Sequence, residues 1–145
     1  MSRGKKAYLQ FESQLSAAIA RLTPLREELK AAVDADAESY NSVMKAYKTA
    51  KSADEKSGEA MIDAALKDAT AVPLSVAEKA NEIAQITDSL GPITNPNMKS
   101  DLTTAAALAK AAITGALANV EINLSSLKDQ PFVDDIRRRT AKISA

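Results

Sequence analysis

The chain has no cysteine, no histidine and no tryptophan, and only 4 glycines and 5 prolines. Without cysteine there is neither a disulfide framework nor a thiolate metal site. Without histidine the commonest general base, the Ser–His triads and imidazole metal ligation all fall away. Acid–base chemistry must come from Asp, Glu, Lys, Tyr or bound water. Aromatic side chains are few: Tyr8, Phe11, Tyr40, Tyr47 and Phe132. Neither sign of charge prevails, since 19 Lys plus Arg balance 19 Asp plus Glu. A neutral chain has no global basic field to draw in nucleic acid. The most apolar run, Ala105 to Val120, is broken by Lys110, Thr114 and Asn119. A membrane span needs about 20 apolar residues, so neither a membrane nor a nucleic-acid partner is expected. No phosphate-cradling glycine loop and no metal-ligand spacing occurs, so no metal is expected. Arg3, Lys5 and Lys6 make the N-terminus basic, but no secretory apolar region follows, and a cytoplasmic location is expected.

What remains is alanine and helical periodicity. At 145 residues the chain reads as one domain able to bury a core. From Tyr8 to Tyr47 the apolar residues return every three or four positions, through Leu15, Ile19, Leu22, Leu29, Val33, Tyr40 and Met44. That is helix spacing. Pro24 interrupts the stripe without changing its phase, which favours one long kinked helix. Thr23 as a cap, with Pro24 at the first helical position, is the competing reading. The polar run Thr49 to Gly58 reads as a loop, and Ser52-Ala53-Asp54-Glu55 within it has capping-box spacing. Met61, Ile62, Leu66 and Ala69 form the next apolar side, which Val72-Pro73-Leu74 bends or restarts. A further helix would carry Leu74, Ala77, Ala80 and Ile83. Gly91 to Asn97 is the clearest break in the chain. Asp129-Gln130-Pro131 opens a last helix with Phe132, Val133, Ile136 and Ile143 on its apolar side and a basic cluster at Arg137 to Arg139. No strand pattern is present. The expected fold is all-α, a bundle of long antiparallel helices.

The helix after Asn95-Pro96-Asn97, running to about Ser125, carries the most unusual pattern. Asn97 or Ser100 can cap it. Helical steps from Asp101 pass through Ala105, Leu108, Ala112, Gly115, Asn119 and Asn123. That face is apolar and small in its middle and polar at its ends. Gly115 in a helix interior costs about 1 kcal/mol relative to Ala, which suggests that another backbone comes close there.

The chemistry-bearing candidates are few. Asp101 sits in a first helical turn, where the dipole favours negative charge. Its ordinary role is to complement that dipole. Its functional role would be a carboxylate beside a cationic group. Asn119 and Asn123 either bond across helices in the core or contact a ligand. Asp101 and Asn119 share a face but lie roughly 27 Å apart along the helix, so one small ligand cannot touch both within one chain. Asp34 and Asp36 lie near Tyr40, Tyr47, Lys48 and Lys51 on the first helix. Lys48 and Lys51, one turn apart, can meet an anion, although such charges usually belong to a solvated face.

Several strings, in order, are similar to a known family: Arg3-Gly4-Lys5-Lys6-Ala7-Tyr8, Asp34-Ala35-Asp36-Ala37, Ala46-Tyr47-Lys48, Val72-Pro73-Leu74, Asn95-Pro96-Asn97-Met98-Lys99-Ser100-Asp101, Gly115 through Leu124, and Lys128-Asp129. Together they resemble the cyclodeaminase/cyclohydrolase family. Its members form the C-terminal domain of the bifunctional formiminotransferase-cyclodeaminase, or stand-alone bacterial cyclodeaminases and methenyltetrahydrofolate cyclohydrolases. The resemblance implies an all-helical, homodimeric enzyme, a lyase or hydrolase, acting on a tetrahydrofolate one-carbon adduct. In the deaminase sense, N10 attacks the formimino carbon on N5, ammonia leaves and the 5,10-methenyl bridge forms. In the hydrolase sense, water opens that bridge. The resemblance implies Asp101 as the catalytic carboxylate facing the cationic carbon. It implies Lys5, Lys48 and Lys51 at a polyglutamate tail, with Asn97, Asn119 and Asn123 as further substrate contacts. It also implies a formiminotransferase, fused or separate, as a partner. Against the family pattern, the chain begins just before the Gly-Lys-Lys string, so it would be N-terminally truncated and lack the first helix and a Gly-Gly-Gly-Ser-type segment. A non-catalytic helical interaction module that keeps the fold is the alternative reading.

Overall fold

A computed structural model describes residues 2–143. Three long helices dominate it: α1 (Glu12–Ala50), α2 (Glu55–Leu90) and α3 (Lys99–Ser125). A short α4 (Gln130–Thr140) follows. A 3₁₀ turn over Lys6–Phe11 leads into α1. Two more, Gly91–Ile93 and Pro96–Met98, fill the break before α3. Among the described residues there is no strand. The layout is the all-α bundle of long antiparallel helices that the periodicity predicts.

α2 is the central element. α1 packs on one side of it and α3 on the other, and each meets α2 far more than they meet one another. The pairing is antiparallel on both sides. Arg21 of α1 pairs with Glu82, Glu28 with Lys79 at 3.4 Å, and Ala50 lies against Gly58. The core contains Leu66, Leu74, Val120, Leu124, Leu127, Val133 and Ile136, with Phe132 and Ile143 packed at its edge.

Two prolines lie inside helices, and neither ends one. α1 runs through Pro24, as the unbroken stripe predicts, with Thr23 Oγ1 donating to the Ile19 carbonyl at 2.8 Å. α2 also runs through Pro73, so there is one helix where the sequence allowed a restart. Pro73 is buried with Thr70, Leu74 and Ala77. Packing of that face outweighs the lost backbone bond.

Other local expectations shift by a residue or two. The cap of α2 is Asp54, whose side chain accepts from Ser57 N at 3.0 Å, and not Ser52. Neither Asn97 nor Ser100 caps α3. Instead, Asn95 caps the preceding 3₁₀ turn by accepting from Asn97 N at 3.0 Å. Ser2 is buried, and its Oγ accepts from Asn95 N at 2.9 Å, which ties the start of the chain to this break.

The larger correction concerns faces. α3 buries Ala109, Ile113, Ala116, Val120 and Leu124. These lie one residue, about 100°, round from the Asp101–Asn123 face. They win because Ile113, Val120 and Leu124 remove more apolar area from water than alanines do. Gly115 is exposed, and a Cβ built there would meet nothing within 4 Å. The close approach is at Gly58, where a Cβ would lie 3.1 Å from the Ala50 carbonyl oxygen and 3.2 Å from its Cβ. The α1 stripe divides in the same way. Leu15 and Leu25 are buried, whereas Val33 is 70% exposed and Tyr40 64%.

α4 runs along α2 in the same direction, with Asp129 paired to Lys67 at 2.6 Å and Arg139 to Glu78 at 2.7 Å. Its basic cluster is spent on ion pairs, since Arg137 meets Glu121 and Arg138 meets Asp135. Asp129 also caps α4, accepting from Phe132 N at 3.1 Å. The Lys67 ammonium first, and the Phe132 N–H second, hold the Asp129 carboxyl below its ordinary range.

Two outcomes follow from this packing. Gly58→Val should lower stability by about 1–3 kcal/mol, because a branched side chain cannot fit against the Ala50 backbone; chemical denaturation measures it. Asp129→Asn keeps a capping oxygen and removes the charge. A depressed carboxyl stabilises the fold above its unfolded pKa, and that stability is lost as pH falls through the folded pKa. The variant should therefore melt about 1–3 °C below the parent at pH 6–8, and the gap should close as the pH falls below the ordinary carboxylate range.

Candidate functional site

A groove opens where all three long helices meet. Leu29, Val33 and Asp36 of α1 form one wall, Val72, Pro73 and Val76 of α2 the floor, and Ala112, Ala116 and Asn119 of α3 the other wall. Its volume is about 280 Å³. It exists because α1 and α3 lean on α2 rather than on each other. Small residues on α3 leave the wall low. Among the lining residues, polar side chains come only from Asp36 and Asn119, and they come from different helices. Such a site suits a flat apolar ligand with one cationic or hydrogen-bonding locus.

α1 continues this polarity toward the α1–α2 turn. Helical steps from Asp36 pass Tyr40 and Tyr47 and reach Lys51 on nearly the same side. From Asp36 to Lys48 is roughly 18 Å along the helix. A row of carboxylate, two phenols and the Lys51 ammonium group thus leads away from the groove.

The expected site residues divide into two groups. Asn119 lines the groove. Asn123 is half-buried one turn further on, and its Nδ2 donates to the Ala69 carbonyl at 3.2 Å. Lys48 and Lys51 are exposed near the α1–α2 turn. Asp101, Asn97 and Lys5 are exposed at the opposite end, beside the break before α3. That end is level with Leu15 and Ile19, which share a pocket with Leu90 and Met98. From there to Lys48 is roughly 45 Å along α1, so Asp101 and the lysine pair cannot serve one small ligand within one chain. Asp36 is the residue whose importance sequence spacing underrated. It stood among charges near two tyrosines, and only the fold places it in one groove with Asn119.

A second, larger cavity of about 640 Å³ lies beside the break, with Asp88 and Lys99 among its walls and Leu102 and Pro96 at its apolar side. Asp101 is not among the residues lining it. Among the described residues, no cluster of carboxylates could hold a metal ion.

Comparison with known proteins covers nearly the whole chain. The formimidoyltransferase-cyclodeaminase of Gallus gallus is 33% identical over 99% of this chain, which corresponds to 27% of that protein. The methenyltetrahydrofolate cyclohydrolase of Methylorubrum extorquens is 32% identical over 91% of this chain and 64% of its own length. The chain therefore spans about a quarter of the first relative and under two thirds of the second. The crystal structure of formiminotetrahydrofolate cyclodeaminase from Thermotoga maritima superposes with a TM-score of 0.88 at 28% identity, covering 97% of this chain and 67% of that one. The sequence profile of formiminotransferase-cyclodeaminase matches residues 1–142. This chain belongs to the formiminotransferase-cyclodeaminase family.

Proposed function

We propose that the chain acts on a one-carbon adduct of tetrahydrofolate, closing the formimino group to the 5,10-methenyl bridge with loss of ammonia or opening that bridge with water. The observation that carries this reading is the three-helix groove, where Asp36 and Asn119 face an otherwise apolar lining in a chain of this family. The reacting carbon is amidinium-like in both reactions. Asp36 is exposed at the edge of the groove, where an ionised carboxylate can pair with such a cation. Asp36 takes that role, and Asn119 offers both a donor and an acceptor to the heterocycle. The apolar floor suits a flat ring. Lys48 and Lys51 then meet the carboxylates of the tail, because an extended chain covers about 3.3–3.6 Å per residue and a few glutamates bridge the distance from the groove. A formiminotransferase, fused or separate, would supply the formimino substrate.

The proposal includes a second copy of the chain. α3 exposes Leu108 at 65% and Ile122 at 64%, with Gly115 between them. α1 adds Val33, Tyr40 and Met44. Of the most apolar stretch of Pro96–Ser125, only 22% is buried. Apolar faces of this extent mark interaction surfaces. A glycine facing outward on such a surface lets a partner helix approach closely. A partner could also bring Asp101, Asn97 and Lys5 to the site from the far end.

Asp36→Asn should lower kcat for the deaminase or hydrolase reaction about 100-fold or more while leaving the melting temperature unchanged, followed by 5,10-methenyltetrahydrofolate absorbance. Asp101→Asn is the companion variant. An equal loss there, with Asp36→Asn near the parental rate, would move the reacting end to the N-terminus of α3 and overturn the groove assignment. For the pairing, the chain should sediment as a dimer, and Gly115→Leu should weaken self-association at least about tenfold. Monomeric behaviour of the unchanged chain at micromolar concentration would refute it.

A further inference from the structure

We infer that Asn123 is a positioning residue. It supplies the hydrogen bond that Pro73 takes away from α2, and in doing so sets the height of Asn119 in the groove. This rests on the reading of the groove as the folate site.

Proline has no N–H, so Pro73 leaves the Ala69 carbonyl without its helical donor. Ala69 is only 6% exposed, so solvent has little access to the residue. The neighbouring hydroxyl of Thr70 is already given to the Leu66 carbonyl at 2.7 Å. The donor that reaches the Ala69 carbonyl comes from another helix, Asn123 Nδ2 of α3. The bond therefore joins α2 to α3 at the point where α2 has a free acceptor.

Such a bond adds to the register that Leu66, Leu74, Val120 and Leu124 set, because part of the seam is lined by small residues. Ala77 and Ala80 of α2, and Ala109 and Ala116 of α3, are buried. Small, similar side chains tolerate sliding along the axis. A single polar group in an apolar helix seam is the best-attested device for choosing one register. A slip of one turn would move Asn123 about 5.4 Å from its acceptor. Asn119 is one turn before Asn123 and lines the groove with Pro73 and Asp36. The same bond thus fixes how far Asn119 stands from Asp36. Pro73 acts twice, as groove floor and as the cause of the free acceptor.

The test is a two-by-two set: the parent, Asn123→Leu, Pro73→Ala and the double variant. Asn123→Leu should lower the melting temperature by roughly 3–10 °C. In the Pro73→Ala background the further drop should be less than half as large, because the replacement of proline returns a backbone N–H to the Ala69 carbonyl. Backbone amide shifts of Ala112, Ala116 and Asn119 should move in Asn123→Leu, and Pro73→Ala should not restore them, because the new bond lies within α2. Turnover by Asn123→Leu, at a temperature where it is folded, should fall roughly tenfold or more and stay low in the double variant. An equal melting loss in both backgrounds, or unmoved amide shifts in the α3 wall, would overturn the inference. Recovery of turnover together with stability would reduce Asn123 to a purely structural residue and would also overturn it. If the parent chain itself turns over no folate, the groove reading fails separately, and the melting cycle and amide shifts decide the positioning role alone.

Discussion

The architecture depends on α2 staying one helix from Glu55 to Leu90 despite a proline at its middle. α1 and α3 have little contact with each other and take their positions from α2. A break at Pro73 would therefore separate the two halves of the protein. Two circumstances keep it whole. The side chains around Pro73 are buried, so straightness is rewarded by burial on both sides. The Ala69 carbonyl accepts from Asn123 of the neighbouring helix. The constraint and the groove then have one origin, because the proline also forms part of the floor.

Stability and exposure are unevenly divided around this axis. Leu66, Leu74, Val120, Leu124, Val133 and Ile136 form the main core where α2, α3 and α4 meet. The middle and end of α1 bury little, and its tyrosines and Val33 face outward. Ion pairs such as Arg21–Glu82 and Lys67–Asp129 lie partly in solvent, where their contribution is small and sensitive to salt. They align helices more than they hold them. The bare faces of α1 and α3 are accordingly the places where a second copy would add the most apolar burial.

The site was only partly legible. Asn119 and Asn123 were both identifiable as amides at one end of an alanine-rich face, but their spacing could not tell a groove contact from an interhelical bond. The fold separates them. Asn119 lines the cavity and Asn123 bonds Ala69. Asp101 drew attention because a helix start is conspicuous in sequence; it lies away from the groove, and both it and Asp36 are exposed. Asp36 was inconspicuous because Asn119 and Pro73, which line the same groove, are distant in the chain. Gly115 is exposed, and nothing within the chain comes close to it. An expensive glycine signals a close approach, but the close approach within the chain belongs to Gly58.

Sequence alone indicated the class of the fold, the extents of α1 and α3 to within a few residues and the break at 91–98; it favoured the continuity of α1 through Pro24 and left α2 as one helix or two. All of these follow from local rules, since periodicity, proline geometry and turn residues act over a few positions. The motif strings also pointed to the family that the comparisons establish. Tertiary structure decided which of two adjacent faces of α3 is buried, which glycine meets a backbone, and which carboxylate shares a groove with an asparagine. Those choices turn on rotations of about 100° and on pairings between residues tens of positions apart. They are set by the total apolar area that three helices can bury together, a quantity no local window contains.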